Sequence, residues 1–248
     1  MDKITIILVT SVLPSHPDTD IIDQTIKSIR HHLPHSEIIM QIDGLRDEQL
    51  DRKDDYDEYK TRILWKCLHE YKNVLPLIFD DFSHQSTMMR TTLDYVQTPL
   101  VLYMEGDAPL VTDYDIDWDK CIEFIEKGDA NTIRFHFEAV IPYEHENLML
   151  GVKKGFMRTY QWSQRPHLSS FIYYRDTVMP SIPERSFIED TFHGVVASDY
   201  LDHGMIGWHK HRLWIYYPDE GKNIKRSHHL DGRAGGLKFT SDDDVWQS

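Results

Sequence analysis

Cysteine is nearly missing from this chain: Cys67 and Cys121 are the only two in 248 residues. So few exclude a disulfide framework or a cysteine zinc cluster, and both lie in helix-patterned segments where a buried thiol is expected. Basic charge is scarce, 27 residues against 41 acidic ones for a net charge of −14. That balance opposes nonspecific binding to nucleic acid or to an anionic membrane surface. No apolar run approaches the ~20 residues of a membrane helix. Residues 4–9 have neither a basic region before them nor a cleavage-like site after, so no leader is expected and the location is expected to be cytoplasmic. Several catalytic signatures are missing as well. There is no G-x-x-x-x-G-K-[ST], no G-x-G-x-x-G, no G-x-S-x-G and no H-E-x-x-H, which removes support for P-loop, dinucleotide-binding, serine-hydrolase and zincin readings.

What is present is 40% hydrophobic and 12% aromatic sequence, enough to bury one large core, and a single domain over residues 1–248 is expected. Residues 4–10 read as a β-branched strand, followed by a polar, proline-containing loop at 11–18 that suits a ligand. Thr19 or Asp20 is placed to cap a helix over 21–32, with Ile22, Ile26 and Ile29 on one face. A second strand at 37–42 ends in Asp43-Gly44, which completes a βαβ unit. Residues 46–72 are charged and helical in pattern and look like an insertion. A third strand at 74–79 leads through Ser83, His84 and Gln85 into a helix carrying Arg90.

The fourth strand is the chemical centre. Leu100-Val101-Leu102-Tyr103-Met104 is apolar, as in a strand buried on both faces, and it ends in Glu105-Gly106-Asp107. Two carboxylates two residues apart project to the same side of a strand end, and the glycine between them lets a ligand approach the backbone. Such a pair invites a hard dication, Mg²⁺ or, with an imidazole nearby, Mn²⁺. Ligands of open α/β sheets bind beyond the carboxyl ends of the strands, where this pair falls.

The order β-α-β, helical insertion, β-α-β, acidic turn resembles the nucleotide-sugar-binding half of GT-A glycosyltransferases, particularly the inverting family 2 type. The resemblance implies an α/β fold with a mostly parallel central sheet flanked by helices and a smaller acceptor region. Residues 1–110 would bind a nucleotide sugar and 111–248 the acceptor, under a C-terminal lid. It implies donor contacts from Thr10 and Ser11 after the first strand, from Asp43 at the base or ribose, from Arg90 near the diphosphate, and from Glu105, Gly106 and Asp107 at the metal turn, with Glu105 standing where the family carries its first Asp. His228 or His229 would complete the metal shell. Ser186-Phe187-Ile188-Glu189-Asp190 resembles the family's x-E-D motif, which implies Asp190 as catalytic base and Glu189 as its orienting partner. The implied donor is a UDP- or GDP-sugar, and the acceptor is left open among a glycan, a protein side chain and a modified base.

The second half is less regular. A helix is expected over 114–127, a strand over 131–137, a basic hairpin or loop over 151–165, a strand over 169–174 and another over 207–217. Residues 222–236, basic and glycine-bearing with the His228-His229 pair, suit a lid over a diphosphate. Two alternatives stand beside the transferase. One is a catalytically silent nucleotide- or carbohydrate-binding module of the same fold. The other is a metal-dependent hydrolase, which needs His209, His211 and His228 to converge and relies on a strand sending His209 and His211 to one face.

Overall fold

The structure is a computed structural model and describes residues 3–136, 141, 143–218, 225–231 and 238–239. A nine-stranded sheet is built from β1 (Ile4–Thr10), β2 (Ile38–Ile42), β3 (Val74–Ile78), β4 (Leu100–Glu105), β5 (Thr132–Arg134), β6 (Met149–Lys153), β7 (Phe156–Thr159), β8 (His167–Ser170) and β9 (Leu213–Tyr216). Its order is β3-β2-β1-β4-β8-β5-β9-β7-β6. The first four strands are parallel, whereas β8 runs antiparallel to both β4 and β5. Helices α1 (Asp20–His32), α2 (Lys53–His69), α3 (His84–Leu93) and α4 (Trp118–Glu126) follow β1, β2, β3 and β4 in the chain.

The local reasons are those the sequence suggests. Strands β1, β2 and β4 are almost fully buried, and one apolar cluster runs from Ile4 in β1 to Tyr216 in β9. In α1, Ile22, Ile26 and Ile29 face that cluster. Thr19 stands at the cap position, yet its hydroxyl donates to Asp23 instead of accepting from the backbone. Asp117 opens α4 by accepting from the Lys120 amide at 3.0 Å, which starts that helix four residues later than expected. Cys121 is buried and Cys67 half-buried, both as free thiols.

The segment read as an insertion is a working part of the frame. Arg52 donates to the carbonyls of Leu13, Pro14 and His16, clamping the loop after β1. His16 in turn stacks on Tyr59 of α2 with ring centroids 3.7 Å apart. Burial, reinforced by Arg52, pushes its imidazole down to about 3, so the stacked ring is neutral.

The second half departs from expectation in three places. The strand expected over 169–174 is β8 at His167–Ser170, after which the chain turns into the short helix α5 (Phe171–Tyr173). Ser170 caps that helix, its hydroxyl accepting from the Tyr173 amide at 3.4 Å. The strand expected over 207–217 is instead helix α7 (Met205–His211), then Arg212 with φ +46°, then β9. Gly204, at φ +56°, ends α6 (Ile188–His203) and starts α7, and at Gly207 a Cβ would lie 1.8 Å from the Asp199 carbonyl oxygen. The strand expected over 131–137 has only three ladder residues, and Phe137 lies outside the described residues.

Gly44 marks a close backbone approach in the first half of the chain. A Cβ there would lie 2.3 Å from the carbonyl carbon of Asp81 and 2.5 Å from the Phe82 nitrogen, all backbone. Gly44→Ala is therefore expected to lower stability by about 1–3 kcal/mol, read as a lower thermal unfolding midpoint; an unchanged midpoint would contradict this packing.

Candidate functional site

The chain lays β2 and β3 on one side of β1 and then returns to lay β4 on the other, so strand order reverses between β1 and β4. The crevice beyond the carboxyl ends of that pair is where open α/β sheets bind ligands. The register aligns Val9 with Glu105 and Thr10 with Ile42, so Thr10, Asp43 and Glu105 emerge at one edge. The Gly106 amide donates to the Val9 carbonyl at 2.8 Å. From α1, Thr25 donates to the Gly106 carbonyl at 2.6 Å, which fixes the acidic turn against the first helix.

A cleft of about 220 Å³ opens there, lined by Thr10, Ser11, Asp43, Glu105, Gly106 and Asp107 together with residues the sequence did not single out: Arg46, Phe82, His84 and Gln85. The Thr10 hydroxyl is within hydrogen-bond distance of the Tyr59 hydroxyl, at 3.0 Å. The Asp43 carboxylate accepts from the amides of Gly44, Ser83 and His84 at 2.8, 2.8 and 3.1 Å, so it also ties β2 to the start of α3. Burial pushes its carboxyl up while those amides oppose the shift. His84 sits at φ +64°, a strained backbone for a residue with a side chain. Its Nδ1 accepts from the Gln85 amide at 3.0 Å, and burial, then Arg46, holds its pKa below the usual histidine value. The Arg46 guanidinium lies 4.8 Å over the Phe82 ring.

Glu105 and Asp107 are both half-buried. Burial first, and then the Asp107 charge, raises Glu105 to about 8, with Arg165 opposing. Asp107 is also raised by burial, opposed by His229 and Arg165. His229 Nε2 lies 3.4 Å from Asp107 Oδ2, and the Asp107 carbonyl accepts from the Leu230 amide at 2.7 Å. Among the described residues no three histidine, cysteine or acid side chains converge as a ready-made metal cage. Two carboxylates and an adjacent imidazole nevertheless fit a dication that takes few protein ligands and shares its remaining positions with phosphate and water. Binding of that dication requires the ionised pair. About one proton is therefore expected to leave per metal bound near neutral pH, seen as a binding enthalpy that varies with the buffer's ionisation enthalpy. Metal affinity at this pair is expected to fall as pH drops below about 8. The same raised carboxyl, without metal, makes the native state bind more protons than the unfolded one, so its contribution to stability falls as pH rises from the ordinary carboxylate range to about 8.

A second cleft, about 490 Å³, adjoins the first and shares Gln85, Glu105 and Phe187 with it; Glu189, Asp190, Arg134 and Arg165 also line it. Glu189 and Asp190 occupy the first turn of α6, where the helix dipole favours a carboxylate. Gln85 positions that turn: its side-chain oxygen accepts from the Ile188 amide at 2.9 Å while its nitrogen donates to the Tyr103 hydroxyl at 2.6 Å. Reciprocal bonds between Ser86 and Ser186 continue the zipper between α3 and α6. Glu189 accepts from the Gln164 amide at 2.9 Å, and Asp190 is exposed.

Three expected placements change. Arg90 stands away from the first cleft: its guanidinium donates to the carbonyls of Met179 and Ile182 and lines a separate hollow with Arg175. His228 faces a hollow beside Lys27 and His31, so His229 is the histidine at Asp107. Because α7 replaces a strand, His209 and His211 do not alternate along a pleat. His211 is buried between Asp199 and Tyr173, at 2.8 and 2.9 Å, while His209 is exposed, and the hydrolase geometry is lost. The basic stretch does form a hairpin, β6 with β7. Of the expected lid, Arg226, His228 and Leu230 are held by main-chain bonds along residues 107–111; residues 222–224 and 232–236 lie outside the described residues.

No protein-family model matches the chain, and no curated protein matches it in sequence. Solved structures do match in fold. The S. aureus TarS 1–349 structure in complex with UDP-GlcNAc aligns over 98% of this chain and 63% of its own, with TM-score 0.54 and 14% identity. The mannosyltransferase PcManGT of Pyrobaculum calidifontis, in complex with GDP-Man and Mn²⁺, aligns over 89% and 58% at TM-score 0.52 and 11% identity. GalNAc-T7 with UDP, GalNAc and Mn²⁺ aligns over 87% and 42% at TM-score 0.50 and 10% identity. The chain thus spans less than two thirds of the length of each. Among the described residues no helix is long and apolar enough to cross a membrane.

Proposed function

From a chain that has the GT-A glycosyltransferase fold, we propose a metal-dependent inverting glycosyltransferase that moves a sugar from a nucleoside diphosphate to a hydroxyl acceptor. One observation carries this reading: Glu105 lines two adjoining clefts, one holding Asp107 and Asp43, the other Glu189 and Asp190. On this reading residues 1–110 form the donor half and 111–248 the acceptor half of one domain. Thr10, Ser11 and Gly106 border the diphosphate, and Asp43 with Arg46 borders the base and ribose. Asp107, Glu105 and His229 would hold Mn²⁺ or Mg²⁺, whose chemistry there is to neutralise charge developing on the departing diphosphate.

In the acceptor cleft, Asp190 takes the proton of the acceptor hydroxyl as its oxygen bonds to the anomeric carbon. The bond from that carbon to the phosphate oxygen breaks, and its electron pair leaves with the nucleoside diphosphate. One displacement with one base inverts the anomeric centre. Glu189, held by the Gln164 amide, orients the acceptor. The fold relatives with bound UDP-GlcNAc, GDP-Man or UDP support the donor class. The test is incubation with UDP- and GDP-sugars, Mn²⁺ and a panel of hydroxyl acceptors, with proton coupling at the anomeric position of the product. Nucleoside diphosphate release with an inverted product is expected; retention of configuration, or nucleotide binding with no transfer to any acceptor, contradicts it.

A further inference from the structure

Among the described residues, three line both clefts: Gln85, Glu105 and Phe187. On the glycosyltransferase reading the anomeric carbon lies where the clefts meet, since the diphosphate leaves from one and the acceptor hydroxyl attacks from the other. Glu105 belongs there to the metal turn, and Gln85 is engaged by the Ile188 amide and the Tyr103 hydroxyl. Phe187 brings neither charge nor a hydrogen-bonding side chain, only a phenyl ring. Every other described side chain lining the second cleft is polar or charged.

That ring is 45% exposed although the next residue, Ile188, is wholly buried. A single apolar side chain on an open surface needs no ligand to explain it, but this one is held in place inside a cleft. Phe187 is the extended residue that opens α6, at φ −74° and ψ 133°. Its neighbours on both sides are tied to α3, Ser186 through the reciprocal bonds with Ser86 and Ile188 through Gln85. His84 braces the ring itself, with ring centroids 4.3 Å apart and planes at 72°. An edge contact of that kind covers at most one face of the phenyl ring. His84 is held in turn, its amide donating to Asp43 and its Nδ1 accepting from the Gln85 amide. Asp190 stands near enough to act on the charge of His84, so the phenyl ring is a fixed apolar surface close to the proposed base.

Resting on the glycosyltransferase reading, we infer that Phe187 is the platform on which the transferred sugar stacks. A sugar ring carries hydroxyls around its rim and C–H groups on its faces. Such a C–H face is apolar and faintly positive, which complements the negative face of a phenyl ring. Stacking holds the anomeric carbon between the departing diphosphate and Asp190, a gain in orientation made without a hydrogen bond to any one hydroxyl. The transferred sugar is then one with an unbroken C–H face, and Phe187 serves binding of the sugar, not of the nucleotide.

The experiment titrates UDP, UDP-glucose, GDP and GDP-mannose calorimetrically into the full native chain and into Phe187→Ala, all with Mn²⁺. Phe187→Ala is expected to weaken binding of the sugar conjugate about tenfold and to leave affinity for the matching nucleoside diphosphate unchanged. Phe187→Tyr, which keeps the ring, is expected to bind both as the native chain does. If Phe187→Ala does not fold, Phe187→Leu replaces it, since leucine keeps apolar bulk and loses the aromatic face; the same selective weakening is expected. Equal losses for conjugate and free diphosphate mark a packing role and overturn the inference. So does native affinity for the conjugate in the variant, whether or not transfer slows, and the transferase reading then stands. Failure of both nucleoside diphosphates to bind the native chain is the separate result that removes the transferase reading, and this inference with it.

Discussion

On the proposed function, Asp190→Asn is expected to leave metal-dependent nucleotide binding intact and to lower sugar transfer by about a thousandfold, within the range for loss of a general base. The substitution keeps the side chain's shape and removes its capacity to take a proton. Asp190 is exposed in the first turn of α6, so the fold loses little. Its position does not depend on its own charge, because Gln85 holds the Ile188 amide and Ser86 holds Ser186. Glu189→Gln is a poorer probe, since Glu189 also accepts from the Gln164 amide. Transfer rates measured beside calorimetric donor affinities separate the two effects. Normal transfer by Asp190→Asn would place the base elsewhere.

Asp107→Ala is expected, on the same reading, to abolish metal-dependent nucleotide binding, a loss of about a hundredfold or more in affinity, while thermal stability changes little. The structural bond at this position is made by the backbone, the Asp107 carbonyl accepting from the Leu230 amide, and alanine preserves it. The carboxylate itself faces His229 and shares its surroundings with Glu105. Removing it also removes a like charge beside Glu105, so the Glu105 carboxyl ionises more readily. A binding loss accompanied by a large fall in unfolding temperature would instead mark Asp107 as a structural residue.

The first half of the fold was legible because its signals are local and periodic. The apolar runs of β1, β2 and β4 and the isoleucine stripe of α1 each satisfy one rule of burial. Each strand end then supplies a polar residue at a place topology makes significant. Asp43, Glu105 and Asp107 stand out in this way and line the first cleft, whereas the Glu189-Asp190 turn, at the start of α6, stands out only by its resemblance to the x-E-D motif. Arg90 could not, because its partners, the carbonyls of Met179 and Ile182, are set by how the chain returns about ninety residues later. The second half hid its elements for a related reason: the aromatics of residues 208–217 satisfy β-propensity, but Gly204 and the tight α6–α7 contact at Gly207 make the first part helical. His84 carries no sequence signal beyond preceding a helix, since its place in the cleft follows from a positive φ. Arg134 is equally silent, a charge at the end of a three-residue strand whose burial only the assembled sheet reveals.

A metal-assisted nucleotide-sugar site between β1 and β4 can be tested by calorimetric titration of UDP, GDP and their sugar conjugates into the protein, with and without Mn²⁺. Micromolar binding of one nucleotide and its sugar conjugate that requires the metal is expected. Absence of binding by every nucleotide in both conditions, or binding of equal strength without Mn²⁺, would contradict it.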